Sequence, residues 1–459
     1  MAHLYLSAAH KSSGKTTIAV GLAAALTERG LSVQTFKKGP DYIDPMWLQR
    51  AARRPCYNLD YNVQSGEEIS ATFATRMQDA ALGLIEGNKG LFDGLDVQGS
   101  DSNAALAKLL GAPVILVIDC EGMTRGIAPL ILGYRAFDPD VAINGVILNR
   151  VAGSRHEGKL RAALERYTDV PVLGAVQRDQ MPTVEERHLG LTTPAETDAL
   201  DDVIQRIATC VSAGVDLDAL LEIAEAAPRP QATKQPQPAT QSSSDIRIAI
   251  ARDAAFGFYY ADDLEALSAA GAELVPFNTL SDPELPDADG LLLGGGFPET
   301  QMAGLEANAS LRAGIKTALE AGLPAYAECG GLMYLCRSLA WNGERHEMVG
   351  AIPADAVMNA RPQGRGYAKV EERPGLPWPK AASGMRGATM LPAHEFHYAS
   401  LQNLPEETMF AYDVKRGAGV DGRHDGIVIG NLLANFMHLR DTAANHWTAR
   451  FAAFVRANK

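Results

Sequence analysis

The sequence has few cysteines, too little positive charge to balance its acids, and no apolar run near the ~18 residues that a membrane span needs. Each shortage excludes a class of protein. Five cysteines in 459 residues, an odd number without paired spacing, describe neither a disulfide framework nor a zinc site. At most one or two of them are expected to have chemistry. Lys and Arg number 42 against 55 Asp and Glu, a formal net charge of −13, which works against contact with a phosphate backbone. Nucleic acid is therefore not an expected partner, and neither is the membrane. The opening Met1-Ala2-His3-Leu4-Tyr5-Leu6 lacks the basic start and long apolar middle of a secretory signal, so the cytoplasm is the expected compartment. Heptads and short repeats are missing too, which removes coiled coils and solenoids. What is present is a hydrophobic content of 46% and enough length for two or three packed domains.

From Ala226 to Ser244 the chain reads AAPRPQATKQPQPATQSSS, rich in Pro, Gln, Ser and Ala. Such a segment cannot bury enough surface to offset its ordering entropy, so residues 226–244 are expected to link two domains, 1–225 and 245–459. Before it, apolar runs of strand length alternate with helical patterns: Leu4 to Ser7, Val33 to Phe36, Leu82 to Glu86, Pro113 to Asp119, Gly145 to Asn149 and Val170 to Val176. After it the pattern restarts at Ile246 to Arg252, Glu273 to Phe277, Gly290 to Leu293 and Pro324 to Ala327. The alternation predicts two tandem three-layer α/β domains, each with a parallel sheet covered by helices.

Following the first strand, Ser7-Ala8-Ala9-His10-Lys11-Ser12-Ser13-Gly14-Lys15-Thr16-Thr17 leads into a helix predicted to run to about Glu28, with Gly30 as its cap. A strand, a loop ending in Gly-Lys-Thr and a helix form the context of a phosphate-binding loop, although Ala8 or Ala9 stands where an opening glycine is usual. Residues Ser12 to Thr17 would supply amides at a helix N-terminus, the Lys15 ammonium would meet the terminal phosphates of ATP, and the Thr16 hydroxyl would meet Mg²⁺. Carboxylates at strand ends complete such a site: among Asp41, Asp44, Glu86 and Asp93, we select Asp44 and Glu86 as partners of Thr16 around the metal. Asn149 closes a strand where it could read a purine edge.

In the second half, Leu323-Pro324-Ala325-Tyr326-Ala327-Glu328-Cys329-Gly330-Gly331-Leu332 reads as a strand, a sharp turn and a helix. A thiol on such an elbow is exposed at the top of a sheet and activated by the helix N-terminus. The upstream glycine loop Gly294-Gly295-Gly296 offers one arm of an oxyanion hole, at Gly295, and Gly330 the other. Cys56, Cys120, Cys210 and Cys336 are read as packing residues. Cys329 needs a base, and His438, at the end of the apolar run Asn431 to Leu439, is preferred to His394, His397 and His446.

Together these residues resemble the glutamine-dependent a,c-diamide synthases of cyclic tetrapyrroles. The resemblance is carried by Gly-Lys-Thr-Thr, by Phe36-Lys37-Lys38-Gly39-Pro40-Asp41-Tyr42-Ile43-Asp44-Pro45, by Gly90-Leu91-Phe92-Asp93-Gly94, by Arg187-His188-Leu189-Gly190-Leu191, by the Cys329 elbow and by His394-Glu395-Phe396-His397-Tyr398. It implies a dethiobiotin-synthetase-like ATPase domain and a class I glutaminase domain, with ATP, Mg²⁺, glutamine and a tetrapyrrole polycarboxylate such as cobyrinate as the ligands and a homodimer as the candidate assembly. Lys37, Lys38, Asp41 and Tyr42 would then face the substrate, with Arg50, Arg53 and Arg54 as the nearest further cations. Many class I glutaminases carry Glu two residues after the catalytic His. Here that position is Arg440, so a Cys329–His438 dyad is the expected form. The alternatives are amidation of sirohaem or sirohydrochlorin, a nucleotide-driven switch of the Min and Par kind with an inert second domain, and a carboxylating ligase with no use for glutamine.

Overall fold

The computed structural model describes residues 1–182, 186–187, 190–191, 193–194, 199–228, 244–380 and 390–459. Most of the expected linker, and His188 and Leu189 of the Arg187 motif, lie outside the described residues. The chain divides into two compact units, Met1–Pro236 and Gln237–Lys459. Among the described residues no helix is long and apolar enough to cross a membrane.

In chain order the first unit runs β1 (Ala2–Ala8), α1 (Lys15–Glu28), β2 (Val33–Lys38), α2 (Ile43–Ala52), β3 (Tyr57–Leu59), α3 (Gly66–Arg76), β4 (Leu82–Glu86), α4 (Asn103–Leu110), β5 (Val114–Asp119), α5 (Ile127–Phe137), β6 (Ile143–Val151), α6 (Ser154–Tyr167) and β7 (Val172–Gln177). A two-strand ribbon follows, β8 (Glu186–Arg187) and β9 (Gly190–Leu191), then α7 (Leu200–Gly214) and α8 (Leu217–Glu225). Strands β1 to β7 form one parallel sheet in the order β3-β2-β4-β1-β5-β6-β7. Helices cover both faces, so β2 is buried at every residue and β1 from His3 onward. Every predicted strand of this half is present, and α1 ends at Glu28 as expected, with Gly30 at φ 86° closing it. The short β3 was not expected. Ala227, at the start of the expected linker, is buried, so packing continues to that residue.

The second unit runs β10 (Ile246–Ala251), β11 (Phe256–Phe258), α9 (Ala261–Ala269), β12 (Ala272–Phe277), β13 (Gly290–Leu293), β14 (Gly295–Gly296), α10 (Met302–Ala307), α11 (Ala309–Glu320), β15 (Ala325–Glu328) and α12 (Gly330–Leu335). It continues with β16 (Cys336–Trp341), β17 (Glu344–Glu347), β18 (Ile352–Met358), β19 (Gly364–Glu372), β20 (Met390–His397), β21 (Ala399–Gln402), β22 (Met409–Arg416), β23 (His424–Ile429), β24 (Leu432–Asn435) and α13 (Trp447–Asn458). The main sheet has the order β12-β10-β13-β15-β24-β23-β22-β19-β20. Its first five strands are parallel, as expected, but the rest are antiparallel. A side sheet, β17-β16-β18-β21, extends the unit further. The four strands expected after the linker are thus present and parallel, and the antiparallel strands beyond β24 are an addition to them. β24 is the seam, parallel to β15 and antiparallel to β23.

Candidate active sites

In the first unit the chain leaves β1 and enters α1 through Gly14, at φ 76°. A side chain there would be strained by the backbone, and a Cβ would lie 2.3 Å from the Asn149 amide nitrogen. That amide donates to the Ser13 carbonyl at 2.8 Å, so the end of β6 holds the loop. Asn149 is thus seen in a structural contact, and the expected purine contact is not what this hydrogen bond does. Gly14→Ala is expected to weaken nucleotide binding at least ~10-fold, read by titration with a fluorescent ATP analogue. An unchanged affinity would mean that the loop geometry does not set binding.

Register then assembles the charges. Lys37 on β2 pairs across the sheet with Glu86 on β4. The Lys37 ammonium lies 2.5 Å from Asp44 Oδ2 and 3.1 Å from Glu86 Oε1, while the Lys15 ammonium is 3.4 Å from that same Glu86 oxygen. The Thr16 hydroxyl donates to Glu86 at 2.6 Å and is 3.1 Å from Asp44 Oδ2. The three residues selected for a metal are therefore brought together, with two ammonium groups among them. Burial lowers the proton affinity of Lys15 and works the same way on Lys37, but at Lys37 the Asp44 and Glu86 carboxylates outweigh it and raise the pKa. Asp44 is held below the usual carboxylate range, because Lys37 more than compensates its burial.

The expected substrate face is different from its prediction. Lys37 and Lys38 are 1% and 4% exposed, and Lys38 reaches Asn88 at 3.3 Å, so neither stands on an open surface. Asp41 accepts the Asp44 amide at 3.0 Å, and Tyr42 is a buried residue at the start of α2. Burial, with the charge of Asp44, pushes Asp41 up to about 7. Arg50 is exposed and bound to Asp201 at 2.6 Å, Arg53 is exposed, and Arg54 turns to Gln34 and the Asp79 carbonyl. These cations do not form one patch with the lysines. Asp93 accepts the Gly90 amide at 3.0 Å, a turn contact.

In the second unit β15 leads into Cys329, whose φ of 48° and ψ of −100° make it the elbow that the glycines predict. A non-glycine residue held there is strained, and strain of this kind gathers at functional positions. The Cys329 amide donates to the Asn435 carbonyl at 2.7 Å, tying the elbow to the end of β24. Three residues further on, His438 arrives beside it, 3% exposed. Gly330 closely approaches the glycine loop: a Cβ on it would lie 3.0 Å from the Gly296 amide nitrogen, and one on Gly295 would lie 2.8 Å from His438 Cε1. Gly295, Gly330, Cys329 and His438 thus surround one spot, as expected. Burial opposes a charge on His438, but hydrogen bonds to Cys329 and Glu328 overcome it and raise its pKa to about 10.

Two further residues join them: Glu328, which the sequence did not single out, and His394, which was weighed only as an alternative base. Glu328 Oε2 lies 3.1 Å from His438 Nδ1, which corrects the expected dyad: a carboxylate is present on the far side of the imidazole. His394 stacks on His438 with ring centroids 4.8 Å apart, and their backbones exchange hydrogen bonds at 2.8 and 3.3 Å. Glu328 stood in the quoted elbow motif, and only its long-range partner reveals it. Arg440 is bound to Asp262 at 2.6 Å and lies over the Tyr260 ring.

Comparison with known proteins identifies both halves of the chain. Residues 8–191 match the CobQ/CobB/MinD/ParA nucleotide binding domain, and residues 247–445 the CobB/CobQ-like glutamine amidotransferase domain. A cobyrinate a,c-diamide synthase of Magnetococcus marinus is 46% identical over 99% of this chain and 97% of its own length. Another, of Archaeoglobus fulgidus, is 42% identical over 95% of this chain and 94% of its own. With both halves matched and near-complete relatives above 40% identity, the chain belongs to the cobyrinate a,c-diamide synthase family of glutamine-dependent amidating ligases.

Proposed function

We propose that the protein converts the a and c acetate carboxylates of a cobyrinate-type tetrapyrrole to amides, using ATP and ammonia drawn from glutamine. The observation that supports this most strongly is that one chain carries both a Cys329–His438 pair on a strained elbow and the Lys15, Thr16, Asp44 and Glu86 cluster behind a Gly-Lys-Thr loop.

The chemistry follows from the groups. The Cys329 thiolate, paired with the His438 imidazolium, attacks the carboxamide carbon of glutamine. Amides near Gly295 and Gly330 take the negative oxygen, and His438 gives its proton to the leaving nitrogen as the carbon–nitrogen bond breaks. Ammonia departs, and water hydrolyses the thioester to glutamate.

A carboxylate is a poor electrophile, so the substrate oxygen first attacks the γ-phosphorus of ATP while the bond to the β-phosphate oxygen breaks, releasing ADP. Ammonia then adds to the acyl phosphate carbon, phosphate leaves with its oxygen, and the nitrogen loses a proton to give the amide. Lys15 neutralises charge on the transferring group, and Lys37 holds Asp44 ionised while pairing with Glu86. Thr16, Asp44 and Glu86 are hard oxygen donors, and among the described residues Glu86 Oε2 is buried without a hydrogen-bond partner. They suit Mg²⁺, which is commonly held by one or two carboxylates together with substrate phosphates and would withdraw charge from the phosphate oxygens. We place the active form as a homodimer within this proposal.

The test offers purified protein MgATP and glutamine with cobyrinic acid and, in parallel, sirohaem, and weighs the macrocycle by mass spectrometry. A loss of about one mass unit per amide, reaching two amides on cobyrinic acid, is the expected result. A shift on sirohaem alone would change the substrate. ATP hydrolysis without glutamate release or any mass change would favour a nucleotide-driven switch.

A further inference from the structure

We propose that Glu328, the residue immediately before the nucleophile, is the carboxylate that orients His438, so that a positioning group from β15 takes the role that Arg440 cannot fill. The inference rests on the glutaminase reading above and adds a residue to it.

Four observations carry it. Glu328 Oε2 lies 3.1 Å from His438 Nδ1, a distance at which the carboxylate accepts the Nδ1 proton and leaves Nε2 for Cys329. The other carboxylate oxygen is fixed by two donors, the Tyr326 hydroxyl at 2.5 Å and the Leu439 amide at 3.0 Å. Tyr326 is itself held by the Asn435 side-chain amide at 3.1 Å and packed edge-on against Trp378. The Glu328 side chain is 9% exposed and that of His438 4%, so water screens their interaction little.

The nearby carboxylates are committed elsewhere. Asp425 accepts the Gly426, Phe436 and Met437 amides, and Glu395 accepts those of Ala418 and Gly419. The charged and titratable groups facing His438 are then Cys329 and Glu328 at the end of β15, His394 on β20, and Arg440 further along its own segment, which Asp262 neutralises. Burial, with the positive charge of His438 and Arg440, drives the pKa of His394 down, so its ring adds a neutral face to the stack.

A carboxylate in this place raises the proton affinity of the imidazole and locks its tautomer. Removing its charge therefore has a signature that loss of packing does not share. In the full-length protein with MgATP and cobyrinic acid, Glu328→Gln is expected to lower kcat for glutamate release ~10²-fold or more, with the KM for glutamine within about twofold. The alkaline limb of kcat, set by loss of the His438 proton, should move down by about one pH unit or more. Amidation driven by added ammonium chloride should persist. Tyr326→Phe keeps the ring but takes a donor from the carboxylate, which makes Glu328 a stronger acceptor, so its alkaline limb should move up.

Unchanged kcat and pH limb in Glu328→Gln would overturn the proposal. So would equal loss of glutamine- and ammonia-driven amidation, or a downward or absent shift in Tyr326→Phe. Wild-type protein that releases no glutamate from glutamine would end the glutaminase reading and this proposal with it, whereas an active wild type beside an unaffected Glu328→Gln removes Glu328 alone.

Discussion

Cys329→Ala is expected to lower glutamine-driven amidation by at least ~10³-fold while amidation from added ammonia continues. The size follows from the chemistry: without sulfur there is no thioester, and water must attack an unactivated carboxamide, so what is left is the catalysis that binding and the oxyanion amides can give alone. The selectivity follows from the fold. Alanine keeps the Cβ, so the positive φ at position 329 costs no more than it does with cysteine, and the Cys329 amide still donates to Asn435. The measurement is product formation at fixed MgATP with either glutamine or ammonium chloride at alkaline pH, where free ammonia is abundant. If the variant used glutamine as well as the wild type does, the elbow would not be the glutaminase centre.

Lys15→Gln should produce the complementary loss. Amidation is expected to fall ~10²-fold or more with either nitrogen source, while glutamate release from glutamine survives. Glutamine can span the same space but brings no charge to the transferring phosphate. It also leaves Glu86, whose side chain is fully buried, with one ammonium partner in place of two. On the proposed acyl-phosphate route ammonia cannot bypass this defect, because the carboxylate is phosphorylated before any nitrogen attacks it. Full rescue by ammonium chloride would remove Lys15 from the phosphoryl-transfer step. The two variants together separate the half-reactions.

Local motifs were legible, and long-range pairings only in part: His438 was read as the partner of Cys329 but not of Glu328. The Gly-Lys-Thr loop and the Cys329 elbow could be read because the backbone shape each chemistry needs is encoded in a few adjacent residues, glycines above all. Thr16, Asp44 and Glu86 come together because the starts of α1 and α2 and the end of β4 meet at one edge of the parallel sheet. Lys37 misled for the same reason in reverse: a basic residue at a strand end looks like a surface cation until register sets it beside Glu86. Glu328 stayed hidden although its motif was in view, because nothing in the neighbouring residues marks a glutamate whose carboxylate turns inward to His438. The antiparallel half of the second sheet was missed for a different cause. Its strands, such as β19 with GRGYAKVEE, mix glycine and charge with apolar residues and bury only some positions, so no clean period of two survives.

One feature of the second unit bears on how freely this protein can change. Glu328 and Cys329 are consecutive residues at the end of β15, while the chain between α12 and β24 builds the side sheet and the antiparallel strands. Bond geometry alone sets the spacing between nucleophile and carboxylate, so no insertion or deletion elsewhere can separate them. His438 falls between the two through the hydrogen-bonded register of β24 on β15 and through its backbone pairing with His394 of β20. Loops of the intervening stretch that touch neither His394 nor Trp378 are thereby free to lengthen or shorten, a division of labour that lets the periphery vary while the centre stays intact.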